Sequence, residues 1–151
     1  HIRSKYGERV RWKLIGSGEE HSLKGEVEIV PFSLSNEVED LSSIDIGLSP
    51  MPDNEWTRGK CGYRLIQYMA MGIPSVCSPV GTNREIIEHG KTGFFANSVD
   101  EWIKYLTLLI ENKALRMSMG GAARRDAIKR FSLEENSQKL VCALEGVLKT
   151  V

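Results

Sequence analysis

The run "LIQYMAMGIPSVCSPVGTNREII", from Leu65 to Ile87, constrains the fold more than any other stretch. Leu65, Ile66, Met69 and Ala70 recur at helical spacing. Gly72 and Pro74 then stop that helix, because a glycine accepts the left-handed turn that ends one and a proline cannot continue it. "SVCSPV" is a short apolar run of the kind that fills a buried parallel strand. A second glycine loop leads into "TNREIIEHG", a short helix with Thr82 and Glu85 as a capping box and Gly90 as its stop. Helix, buried strand and helix in direct succession are the mark of a parallel sheet with helical crossovers.

The flanking sequence extends the same alternation. Residues 1 to 9 are polar and read as the end of a helix. "VRWKLIGSG" reads as a strand closed by Gly16-Ser17-Gly18, "EVEIVPF" as a second strand, and "DIGLSP" as a third. Between them "SNEVEDLSS" is helical, with Asn36 as N-cap and Glu39 three residues on. "MPDNEWTRG" is turn-rich and reads as a surface loop, with a helix starting at Lys60. "TGFFA" is the last strand. Three helices close the chain: "SVDEWIKYLTLLIEN" capped by Ser98 and Glu101, "KALRMSMGGAARRDAIKRF" interrupted at Gly120-Gly121, and "SLEENSQKLVCALEGVLKT" capped by Ser132 and Glu135. The fold class is α/β, a parallel sheet with helices on both faces and a C-terminal helical segment.

A length of 151 residues suits one domain spanning 1–151. Twenty Lys and Arg balance twenty Asp and Glu, which argues against a general nucleic-acid partner. Cys61, Cys77 and Cys142 form neither a CxxC pair nor a metal spacing, and their sparse use suits a reducing, cytoplasmic setting. Cys77 and Cys142 read as small buried hydrophobes. No signal peptide is visible, and the chain starts at His1, so it reads as a piece of a longer protein. His1, His21 and His89 fall in unrelated, exposed places.

In parallel α/β sheets ligands sit beyond the carboxyl ends of the strands. The loops there are Gly16–Gly18, Pro31–Ser35, Ser49–Gly59 and Ser78–Asn83. A helix start offers free amides and a positive dipole, hence an anion site. Gly59 and Gly62 let a ligand approach the backbone, and Lys60 adds a full charge. Lys60, Arg64 and Gln67 fall on one helix face at i, i+4 and i+7. Val80, Gly81, Thr82 and Asn83 repeat the design in front of the next helix, with free amides from Gly81 to Arg84. Each feature also has a plain reading as a capped turn or a solvated face; the joint arrangement is the more specific signal. Arg124, Arg125, Lys129 and Arg130 read as a solvated face, or as a membrane or partner patch.

"DIGLSP", "RGKCGYRLIQYMAMGIPSVCSPVGTNREII", "HGKTGFFA", "EWIKYLTLLIEN", "LRMSMGGAARR" and "FSLEEN" occur in order. Together they resemble the C-terminal half of GT-B-fold retaining glycosyltransferases of the group-1 family, from about Val10 onward. The resemblance implies a Rossmann-like domain that binds a nucleotide-sugar donor, UDP- or GDP-type, and an acceptor-binding domain outside this chain. It implies sugar transfer to a hydroxyl with retention, in the synthesis of surface polysaccharides or other glycoconjugates. The family's Glu-x7-Glu signature falls on Gly59 and Gln67, so neither glutamate is present. Lys60 is implied at the diphosphate as the catalytic residue, helped by amides near Gly81 to Arg84. Gln67 is implied at the ribose. The loop Pro31, Phe32 and Ser33 would border the base, and Gly16 counts among the substrate-binding residues. No metal or cofactor is implied, and peripheral membrane contact would come through the full-length protein. Two alternatives stand beside this reading: a nucleotide-sugar epimerase, and a degenerate domain kept for partner or nucleotide binding.

Overall fold

The computed structural model describes residues 1–16 and 27–148; Ser17, Gly18 and His21 lie outside them. Helix α1 (Ile2–Tyr6) and one 3-10 turn lead into strand β1 (Lys13–Ile15). Then come β2 (Glu28–Val30), α2 (Glu37–Ser42), β3 (Gly47–Ser49), α3 (Glu55–Arg58), α4 (Tyr63–Ala70), β4 (Ser75–Cys77), α5 (Asn83–Ile86) and β5 (Gly93–Phe95). Helices α6 (Val99–Glu111), α7 (Lys113–Phe131) and α8 (Leu133–Leu148) complete the chain.

Every strand pairing is parallel. The ladder divides in two, β1-β2 and β3-β4-β5, so the single sheet read from the sequence becomes two among the described residues. The reason lies in packing. β4 is buried at all three positions, whereas β1 and β2 contain no fully buried residue. Successive β4 side chains point to opposite faces. Cys77 enters a core with Leu65, Met69 and Ile73, behind α4, α5 and α7. Val76 enters another with Tyr6, Phe94 and Leu109, behind α1 and α6. Helices therefore cover both faces of the three-stranded sheet.

Several local readings are corrected. The loop over residues 51–59 contains α3, held by a capping box. Asn54 Oδ1 accepts from the Thr57 amide at 2.9 Å, and Thr57 Oγ1 accepts from the Asn54 amide at 3.2 Å. Helix α4 starts at Tyr63 and not at Lys60, because Gly62 adopts φ 68°, outside the helical region. Helix α7 runs unbroken through Gly120 and Gly121, since tertiary packing overrides the low propensity of glycine there. Asn36 makes no side-chain cap on α2. Cys142 is exposed on α8, while Cys77 is buried and its thiol is pushed up to about 12 by desolvation.

The basic run on α7 acts as a set of staples. Arg124 Nη1 donates to the Ala70 carbonyl at 2.7 Å, at the end of α4. Arg130 donates to the Glu85 and Ile86 carbonyls at 2.6 and 3.2 Å, at the end of α5. Arg116 does the same for Leu109 and Ile110 at the end of α6. Each guanidinium satisfies carbonyls that a helix end leaves without partners, and meets the negative pole of that helix. Arg125 and Lys129 remain exposed.

Candidate functional site

The carboxyl ends of β3 and β4 open into a cleft of about 600 Å³. Ser49, Pro50 and Met51 form one wall, and Gly59 through Arg64 form the other, with Asn83 on the floor. The two loops that follow the strands are tied directly. The Ser78 amide donates to the Ser49 carbonyl at 3.1 Å, and Ser78 Oγ accepts from the Met51 amide at 2.9 Å. Thr82 Oγ1 donates to the Lys60 carbonyl at 2.7 Å.

The two glycine loops pack against each other. A Cβ on Gly62 would collide with Ile86 and stand 3.2 Å from Thr82 Oγ1. A Cβ on Gly81, at φ 52°, would stand 2.6 Å from the Arg58 carbonyl oxygen. Both positions thus need glycine for conformation, and Gly81 also for a close backbone approach. Gly62 lines the cleft, and the side on which a Cβ would stand packs against Ile86 of α5. Gly59 has only Trp56 and Glu55 carbonyls at 3.7 and 3.9 Å, and it faces the cleft.

At the start of α4 the amides of Cys61, Gly62, Tyr63 and Arg64 have no hydrogen-bond partner among the described residues. Lys60 is exposed beside them, and half-buried Arg64 is on the first turn. Four donors and two cations therefore converge on one wall. The second loop contributes less than its sequence promises. The Asn83 and Arg84 amides donate to Val80 and Gly81 within the turn, which leaves those of Gly81 and Thr82. The Thr82–Glu85 capping box does not form: Thr82 itself has helical backbone angles (φ −62°, ψ −14°), and the Glu85 amide donates to the Thr82 carbonyl at 3.0 Å. Asn83 is buried; its Nδ2 donates to the Ser78 carbonyl at 2.9 Å, and its Oδ1 has no donor among the described residues.

The other candidates divide. Lys60 stands before α4, so the helical stripe with Arg64 and Gln67 is broken at its first member. Gln67 lies outside the cleft lining and donates to Glu37 Oε1 at 2.6 Å. Val80 is buried. Gly16 and Phe32 meet at the ends of β1 and β2, where the Gly16 amide donates to Val30 and the Phe32 ring is exposed. Pro31 and Ser33 flank them, and Ser33 Oγ bonds Ser35 Oγ at 2.9 Å. None of these four lines the cleft. Beside the cleft, Arg58 hydrogen-bonds Asp53 at 2.6 Å and holds that carboxyl below its ordinary value. Sequence reasoning did not single out Met51, whose amide is held by Ser78 Oγ 27 residues on, or Tyr63, the first residue of α4; both line the cleft.

The sequence profile of glycosyl transferases group 1 matches residues 1–112, and the chain belongs to that family. An uncharacterised glycosyltransferase of Haemophilus influenzae is 33% identical over 89 residues, which cover 56% of this chain and 23% of that protein. A glycosyltransferase from Rickettsia africae superposes with a TM-score of 0.76 at 21% identity, covering 98% of this chain and 43% of its own. Anabaena HepE, solved with UDP and glucose, gives 0.66 at 22% identity, over 82% of this chain and 33% of its own. The chain spans about a quarter of the length of the curated relative and less than half of these solved neighbours.

Proposed function

We propose that this chain is the donor-binding domain of a glycosyltransferase, one that moves a sugar from a nucleoside diphosphate to a hydroxyl acceptor with retention. The observation that carries this reading is the α4 wall. Four unbonded amides, Lys60 and Arg64 face one cleft at the carboxyl ends of parallel strands. A diphosphate is the ligand that uses all of them. As the bond from the sugar to the diphosphate breaks, negative charge grows on the leaving oxygen. Donors already aimed there stabilise it without reorganising. Lys60 supplies the mobile charge, the amides supply fixed dipoles, and no metal step is needed on this reading.

An acceptor domain elsewhere in the same protein completes the enzyme, in the cytoplasm at the inner face of the membrane, for surface polysaccharide or glycoconjugate synthesis. Among the described residues no helix is long and apolar enough to cross a membrane. HepE, whose fold the chain shares, has been solved with UDP, which supports the choice of ligand.

Calorimetric titration with UDP, GDP and ADP at millimolar concentration tests the reading. Heat from at least one nucleotide is expected, and silence from all three sinks it. Lys60→Ala should weaken binding by about 1–3 kcal/mol if its ammonium meets a phosphate. Unchanged affinity would remove Lys60 from the site. The reading as a catalytically silent domain draws on Gly59, which has no side chain to offer a sugar. Turnover of a sugar nucleotide by the full-length protein, with the product anomer assigned by NMR, separates the two.

A further inference from the structure

We propose that Cys61 is a site of reversible covalent modification, and that its reagent is a low-molecular-weight disulfide whose thiol carries carboxylates. The mixed disulfide fills the cleft and shuts out the nucleotide. The modification follows from the cleft itself; its effect on binding rests on the nucleotide reading above.

The three cysteines have different surroundings. Cys77 is buried in β4 and out of reach. Cys142 is exposed on α8, with Lys139 and Glu145 three residues to either side, so its neighbourhood carries no net charge. Cys61 is exposed and lines the cleft. Lys60 precedes it and Arg64 follows three residues on, and both line the cleft with it. Its own amide and those of Gly62, Tyr63 and Arg64 have no partner among the described residues. No acidic side chain is among the described residues that line this cleft. A reagent that reaches this thiol therefore meets two cations and four N–H donors, and an anionic one is drawn in.

Asn83 points to a ligand that also brings a donor. It lines the floor of the cleft and is only 1% exposed. Its Nδ2 is spent on the Ser78 carbonyl, and its Oδ1 has no donor among the described residues. That oxygen lies against Gly62, 3.4 Å from where a Cβ would stand, and Gly62 is the residue after Cys61. A buried acceptor without a donor is costly. An ionised diphosphate has no hydrogen to give it. A thiol built on an amino-acid or peptide frame has both groups, carboxylates for the cations and amides and an N–H for Asn83.

The exchange balances without a further reagent. Cys61 gives up its proton, and its sulfur attacks one sulfur of the disulfide. The reagent's S–S bond breaks as the bond to Cys61 forms, and the other half leaves as a thiolate that takes up the proton. Cys61 is oxidised and the departing half is reduced. Excess thiol runs the step backwards.

The test incubates the protein with oxidised glutathione, with 3,3′-dithiodipropionate or with cystamine, quenches with acid, and quantifies each cysteine by peptide mass spectrometry. Cys142 in the same chain corrects for the intrinsic reactivity of each reagent. Relative to Cys142, Cys61 should react about tenfold faster with anionic oxidised glutathione than with cationic cystamine, given two cations beside the thiol. Lys60→Ala, or high salt, should reduce that ratio several-fold. At equilibrium the glutathione adduct of Cys61 should exceed the dithiodipropionate adduct, which has the carboxylate but no N–H. Glutathione-modified protein should give no heat with the nucleotide that unmodified protein binds, and dithiothreitol should restore it. A Cys61 to Cys142 ratio indifferent to reagent charge overturns the proposal, as do two adducts of equal stability or nucleotide binding that survives full modification of Cys61. If unmodified protein binds no nucleoside diphosphate while Cys61 keeps its charge preference, the nucleotide reading falls and the modification site stands.

Discussion

Gly120→Ala is the sharpest test of how the helical layer is built. A Cβ on Gly120 would run into the Gly72 carbonyl, 2.9 Å from its carbon and 3.4 Å from Pro74 Cδ. Carbon atoms in contact rest at about 3.5–4.0 Å. The obstacle is backbone, in a turn with φ 71° at Gly72, so no rotamer change relieves it. Helix α7 must retreat by roughly 1 Å, a gap that forfeits about a quarter to a half of each dispersion contact along the seam. That seam is fully buried: Ala123 on α7 and Leu65 and Met69 on α4 are all 0% exposed. Overpacking of this kind costs about 3 kcal/mol, the upper part of the usual range. Replacing glycine by alanine in a helix interior returns about 1 kcal/mol. The net loss is about 2 kcal/mol, or a fall in Tm of about 4–8 °C for a chain of this size. Gly121 is the control. A Cβ there meets only Arg125 Nη1 at 3.5 Å, so Gly121→Ala should raise Tm by about 2–4 °C. Thermal unfolding followed by circular dichroism reads both. A Gly120→Ala protein that melts at or above wild type would refute the close approach of α7 to the turn before β4.

Three further outcomes follow from the same geometry. Arg130→Ala should cost about 1–2 kcal/mol in a urea titration, because the Glu85 and Ile86 carbonyls lose charged donors while remaining partly open to water. A maleimide at pH 8 should label Cys61 and Cys142 in the folded protein and Cys77 only after denaturation, since Cys77 is buried with its thiol pushed up to about 12; bound nucleotide should slow Cys61 alone. The Tyr6 hydroxyl, at 2.5 Å, and then Lys5, at 2.9 Å, hold the Glu111 carboxyl below its ordinary value of 4.5. A depressed acid stabilises the fold above that value and loses its contribution as the pH falls through the lower one, so Glu111→Gln should flatten the loss of stability on acidification from about pH 4.5 downwards.

Apart from the short α3, the order of strands and helices was readable from the chain alone, because it depends on local periodicity and on where Gly72, Pro74 and the Ser98 cap interrupt it. So was the meeting of the loops that follow β3 and β4, whereas the loops after β1 and β2 belong to a separate sheet and do not line that cleft. Lys60, Gly59, Arg64 and Asn83 could be picked out on that basis, and they do line one cleft. Side-chain commitments were not readable. The Thr82 hydroxyl donates to the Lys60 carbonyl 22 residues back, a partner no local pattern points to. Gln67 was read against a ligand and found Glu37, 30 residues upstream. Gly120 and Gly121 look alike in the sequence; only the Gly72 turn lying against one of them gives them different tasks. Periodicity and turn chemistry act over a few residues and therefore show in one dimension. Which polar group meets which is settled by competition among all groups that the fold brings within hydrogen-bond reach, and that set exists only once α2, α4 and α7 have packed.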